Sequence, residues 1–160
     1  MEVRFPEDLV QVERLIIPGG ESTTVGLLLQ RFGLTQILCQ RAKEGMPIWG
    51  TCMGMILMAR AIQDRPQQES LNFLDIEVQR NAFGSQIHSF EANLGVVGFT
   101  DPFVGVFIRA PIVTKQGHNV KTLCSYEGKV VAVQQNRLLG TSFHPELTND
   151  TRFHELFLHL

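Results

Sequence analysis

A short apolar run, Pro47-Ile48-Trp49, enters Gly50-Thr51-Cys52-Met53-Gly54, and Met55-Ile56-Leu57-Met58-Ala59 leaves it with helical spacing. A strand, a Gly-x-Cys-x-Gly turn and a helix, in that order, form the nucleophile-elbow pattern with cysteine where serine is more common. The turn forces its middle residue into a strained conformation, and the glycines on either side let two backbones pass without a Cβ clash. The apex side chain then stands at the carboxyl edge of a sheet, above a helix N-terminus whose dipole favours a thiolate. By itself the pentapeptide also suits an inert strand–helix junction, since cysteine is among the most buried residue types. The rest of the chain must supply the chemistry or fail to.

The 160 residues suit a single domain over 1–160 with one core. A net charge of −2 gives no electrostatic case for nucleic acid or an anionic membrane. No apolar run is long enough to span a bilayer, and the charged opening Met1-Glu2-Val3-Arg4 predicts no signal peptide. Cys39, Cys52 and Cys124 have no paired spacing, which argues against a disulfide framework or a metal site. A reducing, cytosolic setting is expected.

Residues 1–13 read as a strand end, a turn and a short helical piece, and Leu15-Ile16-Ile17 as a buried parallel strand meeting the Pro18-Gly19-Gly20 loop. Glu21-Ser22-Thr23-Thr24 offers a cap for a helix that Gly33 ends, and a second helix is predicted over 35–44. The helix after the elbow is predicted to run to about Ile62, followed by a polar connection over 63–70. Strands are predicted at 74–79, 104–108, 122–126, 130–134 and 138–143, with a hairpin turn over 126–129 and a closing helix over 149–160. Alternation in the first half and hairpins in the second predict an α/β sheet, mostly parallel, with an antiparallel extension.

Ligands in open α/β sheets bind at the carboxyl ends of strands. Cys52, the Gly19–Ser22 loop, Arg109 and His144 all follow predicted strands. His144-Pro145-Glu146 is the informative partner of the elbow. A histidine must reach the thiol as base, and a third group must hold its ring. Glu146 lies two residues on, across a stiffening proline, and can fold back to the other ring nitrogen. Arg80 and Arg109 are candidates for pairing a carboxylate, and Glu21 for holding an ammonium or simply serving the first turn of a helix. Cys39, Cys124 and the remaining histidines have no partner pattern and read as structural, as does the Met53/Met55/Met58 cluster.

Gly50–Gly54 together with Phe143-His144-Pro145-Glu146 resembles the class I, triad-type glutamine amidotransferase family, which has a flavodoxin-like sheet. Pro18–Thr24, Arg80–Gly84, Ser89-Phe90-Glu91, Phe107–Pro111 and Ser142–Thr148 are similar to the glutaminase-subunit family of pyridoxal 5′-phosphate synthases, over nearly the whole chain. The resemblance implies hydrolysis of L-glutamine to glutamate and ammonia without a cofactor or metal. It also implies a partner, the β/α-barrel synthase subunit, which receives the ammonia. By position, Cys52 would be the nucleophile, His144 the general base and then acid, and Glu146 the orienting carboxylate. Gly20, Glu21, Ser22, Arg80, Ile108 and Arg109 would bind glutamine.

The family often has arginine and aspartate near Ser85 and His88, and a residue smaller than Met53 after the nucleophile. It also carries a strand and helix upstream of what is Met1 here. An amino-terminally truncated domain with unpaired strand edges is therefore expected. Two other readings stay open at this level: a glutaminase serving another synthase, such as that of histidine biosynthesis, and a non-catalytic subunit that keeps only binding.

Overall fold

A computed structural model describes residues 1–84 and 89–160; the departures at Ser85 and His88 lie outside the described residues. Two apolar faces organise the chain, and period-two alternation along its strands feeds both. In β2 (Ile48–Thr51), wholly buried, Ile48 joins one core and Trp49 the other. The same split recurs at Leu138 and Leu139 of β10 (Leu138–Thr141).

The first face is covered by α1 (Pro6–Val10), α2 (Ser22–Arg31), α3 (Leu34–Lys43) and α4 (Met53–Met58), all within the first half of the chain. The second is an aromatic core of Trp49, Phe103, Phe107, Phe143, Phe153 and Phe157. It lies under the hairpin of β5 (Ser89–Leu94) and β6 (Phe103–Ile108) and under α5 (Arg152–Leu158).

β1 (Leu15–Ile17) and β10 flank β2, both parallel to it. β9 (Lys129–Gln135) then joins β10 antiparallel, with β8 (Lys121–Tyr126) and β7 (Ile112–Gln116) antiparallel to β9. β7 pairs antiparallel with β4 (Leu74–Gln79), and β4 parallel with β3 (Ala59–Ile62). This is the predicted α/β sheet with its antiparallel extension. β1 sits at one edge of the main sheet, and residues 1–4 pair with no strand among the described residues.

One prediction is corrected. The helix after the elbow ends at Met58 rather than near Ile62, and Ala59–Ile62 is the edge strand β3. The N–H groups of Leu71 and Phe73 donate to the carbonyls of Leu57 and Met58, at 2.7 and 2.9 Å, and so satisfy the last turn early. Arg60 then bonds Asp75 and Glu77 across the new ladder, at 2.8 and 3.0 Å. A stretch from Met53 to Ile62 that is apolar but for Arg60 hides this change of period. β5 and β7 lie outside the predicted strands: only Leu94 of β5 is buried, and β7 ends in the exposed Lys115 and Gln116 and pairs with β4, distant in sequence.

Candidate active site

The elbow is built by two glycines that cannot be anything larger. A Cβ on Gly50 would lie 2.4 Å from the carbonyl carbon of Gly54, and one on Gly54 would lie 1.9 Å from the Ile17 carbonyl oxygen. β2, α4 and β1 are therefore in backbone contact, and the chain reverses between them through Cys52 at φ +50°, ψ −104°. That conformation is rare for a residue with a side chain and is held by its surroundings. The Cys52 N–H donates to Thr141 O at 2.7 Å, which extends the β2–β10 ladder by one rung.

Because β2 and β10 are parallel and in register at Thr51 and Thr141, the residues that follow them emerge at the same edge. Cys52 and His144 are those residues. β6 braces both: its Val106 carbonyl accepts the His144 N–H at 2.8 Å, and its Ile108 carbonyl lies 3.6 Å from Cys52 Sγ. His144 Nδ1 is 2.7 Å from Glu146 Oε1, with Pro145 starting the short 3₁₀ turn Pro145–Leu147 between them. The Pro18–Gly20 loop closes over the ring so tightly that a Cβ on Gly19 would meet His144 Cε1 at 2.5 Å.

Hydrogen bonding to Cys52, then to Glu146, outweighs burial and pushes the His144 pKa up to about 9. Burial pushes the Glu146 carboxyl up, but the bond from His144 and nearby positive charge hold it below the usual range. The sulfur thus has two alternatives. Its Sγ–H can donate to Ile108 O, or the sulfur can bond the His144 ring.

A titration follows from this. His144 should titrate near pH 9 by imidazole NMR in the native chain, and closer to its ordinary value in Cys52→Ala. Since the folded pKa is raised, the stability this group contributes is complete below about pH 6.5 and is lost as pH rises through 9. An unchanged His144 pKa in Cys52→Ala would show that the sulfur is not its partner.

A cavity of about 260 Å³ opens in front of the thiol, lined by Gly20, Glu21, Ser22, Cys52, Arg80, Ile108, Arg109 and His144 among others. Eight of the nine residues singled out from sequence meet there, and Glu146 stands behind His144. Glu21 has a second task. Its carboxylate accepts from Thr24 N at 2.7 Å, Thr24 Oγ1 at 2.8 Å and Thr23 N at 3.2 Å, capping α2. The Thr24 backbone bond chiefly lowers its pKa to about 2. Arg109 stands at φ +47°, which turns the chain out of β6 just after the Ile108 carbonyl. Met53, Ile56 and Asn81 also line the cavity and were not singled out as site residues, since the first two read as core and the third as loop.

A model of the SNO glutamine amidotransferase family matches residues 1–160. The chain belongs to that family. A "Pyridoxal 5′-phosphate synthase subunit PdxT" from Herpetosiphon aurantiacus is 58% identical over 164 residues, spanning 100% of this chain and 86% of the relative. One from Roseiflexus sp. is 52% identical, spanning 99% of this chain and 85% of the relative. A crystal structure of a glutamine amidotransferase superposes with a TM-score of 0.94 at 44% identity, covering 99% of this chain and 84% of that one. The SNO family member described here is accordingly an enzyme of the glutamine amidotransferase class. Among its described residues no helix is long and apolar enough to cross a membrane.

Proposed function

We propose that this glutamine amidotransferase releases ammonia from L-glutamine through a Cys52–His144–Glu146 triad. The ammonia passes to the barrel subunit of a pyridoxal 5′-phosphate synthase. The observation that carries the reading is the convergence of a strained Cys52, an imidazole held by Glu146 and a cavity lined by two arginines. The names of the relatives at 58% and 52% identity support the choice of pathway.

The Cys52 thiolate attacks the side-chain amide carbon of glutamine, and the carbon–nitrogen bond breaks as the His144 imidazolium gives its proton to the departing ammonia. Neutral His144 then takes a proton from water, whose oxygen attacks the thioester. The carbon–sulfur bond breaks, the new carboxyl group of glutamate loses its proton to solvent as the product leaves, and thiolate and imidazolium are restored. Glu146 keeps the ring oriented and favours its charged form in both halves. The N–H groups of the Pro18–Gly20 loop and of Met53 at the start of α4 are suited to the oxyanion, because glycine admits the close approach and first-turn N–H groups lack an intrahelical acceptor. Arg80 or Arg109 takes the α-carboxylate of the substrate. Three free thiols suit the reducing environment of a cytosolic enzyme.

The test is glutamate release from glutamine, with and without the barrel synthase. Hydrolysis that rises on adding the synthase and is accompanied by pyridoxal phosphate formation supports the proposal. Hydrolysis without any response to the synthase sinks the partner assignment, and no hydrolysis under either condition sinks the triad.

A further inference from the structure

Arg80 follows β4, and Asp64 follows β3, each two residues beyond a paired position (Val78 and Ile62). The parallel register therefore sets the two side by side at the carboxyl edge, and the Gln63 N–H donating to Val78 O at 2.9 Å continues the ladder between them. Asp64 grips Arg80 at both ends. One carboxylate oxygen accepts the Arg80 backbone N–H at 3.1 Å, and the other lies 3.3 Å from Nε. On the far side of the guanidinium, Nη1 reaches Gln68 Oε1 at 3.2 Å and Ser22 Oγ at 3.5 Å. Thr23 Oγ1 donates to the same Gln68 oxygen at 3.4 Å, so two donors dictate which way that amide faces.

The arrangement occupies Nε and Nη1. Among the described residues no partner is assigned to Nη2, and Arg80 lines the cavity in front of Cys52. The guanidinium side chain is only 17% exposed, so a long cation that would otherwise sample many rotamers is presented to the cavity in one. Gln68 gives up something for this: its Nε2 is buried without a partner among the described residues. A buried amide nitrogen left unpaired is destabilising, and a side chain retained for packing alone would not need it.

We propose that Asp64 and Gln68 are positioning residues, holding the Arg80 guanidinium ready for the α-carboxylate of the substrate. The inference rests on the reading of Arg80 as a carboxylate ligand and adds to it the two groups that fix its geometry. Neither was visible in the sequence, where both sit in a polar connection 12 and 16 residues before the arginine.

The experiment compares L-glutamine with its α-amide, which lacks the carboxylate, using the chain in complex with the barrel synthase. Asp64→Ala should raise KM for glutamine by about fivefold to tenfold while shifting kcat less than about twofold. KM for the α-amide should change by less than about twofold. Asp64→Asn, which keeps an acceptor for the backbone N–H but loses the charge opposite Nε, should give a smaller shift of the same kind. Gln68→Leu should raise KM for glutamine with its melting temperature unchanged or higher, since the orphan nitrogen is gone. Equal KM shifts for both substrates, or a loss of melting temperature in Asp64→Asn and Gln68→Leu that tracks the KM change, would overturn the positioning role. Arg80→Ala separates the two ideas. If it does not discriminate between the substrates, the carboxylate reading of Arg80 fails; if it does and the Asp64 and Gln68 variants do not, only the positioning inference fails.

Discussion

Cys52→Ala is expected to abolish glutamate release from glutamine, by a factor on the order of 10⁴ or more, without loss of the fold. The elbow conformation is imposed by Gly50, Gly54 and the bond from Cys52 N to Thr141 O, none of which needs the sulfur. Alanine in the same strained backbone removes the nucleophile alone. A glutamine-like electrophile should label the native chain at Cys52. Cys124 is an unsuitable competitor: burial pushes its thiol up to about 11, so it stays protonated at neutral pH. Residual hydrolysis within tenfold of the native rate, or covalent label recovered at Cys39 or Cys124 in place of Cys52, would remove Cys52 from the role of nucleophile.

The site was legible because its parts sit where local sequence rules place them. Gly-x-Cys-x-Gly states its own turn, and His144 and Glu146 are two residues apart with a proline between them. Strand ends predicted from short β-branched runs brought the thiol, the glycine loop, Arg109 and His144 to one edge. The fold beyond that was legible where periodicity was clean, as in β4, whose Leu74, Ile76 and Val78 are buried in strict alternation. It failed at Ala59–Ile62, where the largely apolar stretch carries only Arg60 as a break while the structure changes from helix to strand. The decision there is tertiary: Leu71 and Phe73 cap the helix, and β4 offers a ladder. Asp64 and Gln68 stayed hidden for a related reason. Their meaning comes from a parallel register between β3 and β4, and β3 was itself read as helix.

Gly54→Ala should be severely damaging for the addition of a single methyl group. The added Cβ would fall 1.9 Å from the Ile17 carbonyl oxygen and 2.9 Å from its carbon. Ile17 cannot yield easily, because β1 is locked to β2 with Ile17 opposite Gly50, and Gly50 is itself in backbone contact with Gly54. No rotamer change relieves a clash between backbone atoms, so α4 must lift from the sheet as a unit. The expected loss is about 4 kcal/mol or more, at the severe end for overpacking, and a fall in melting temperature of roughly 10 °C for a domain of this size. Gly95→Ala provides the control, since its added Cβ meets nothing within 4 Å and should change stability by less than about 0.5 kcal/mol. Lifting α4 also moves Met53 and the apex beside it, so any Gly54→Ala chain that still folds should lose reactivity at Cys52 in proportion. Calorimetry of the two glycine variants decides the matter. A Gly54→Ala chain that melts within a couple of degrees of the native one, with Cys52 still labelled at the native rate, would mean that the three-way backbone contact does not set the elbow.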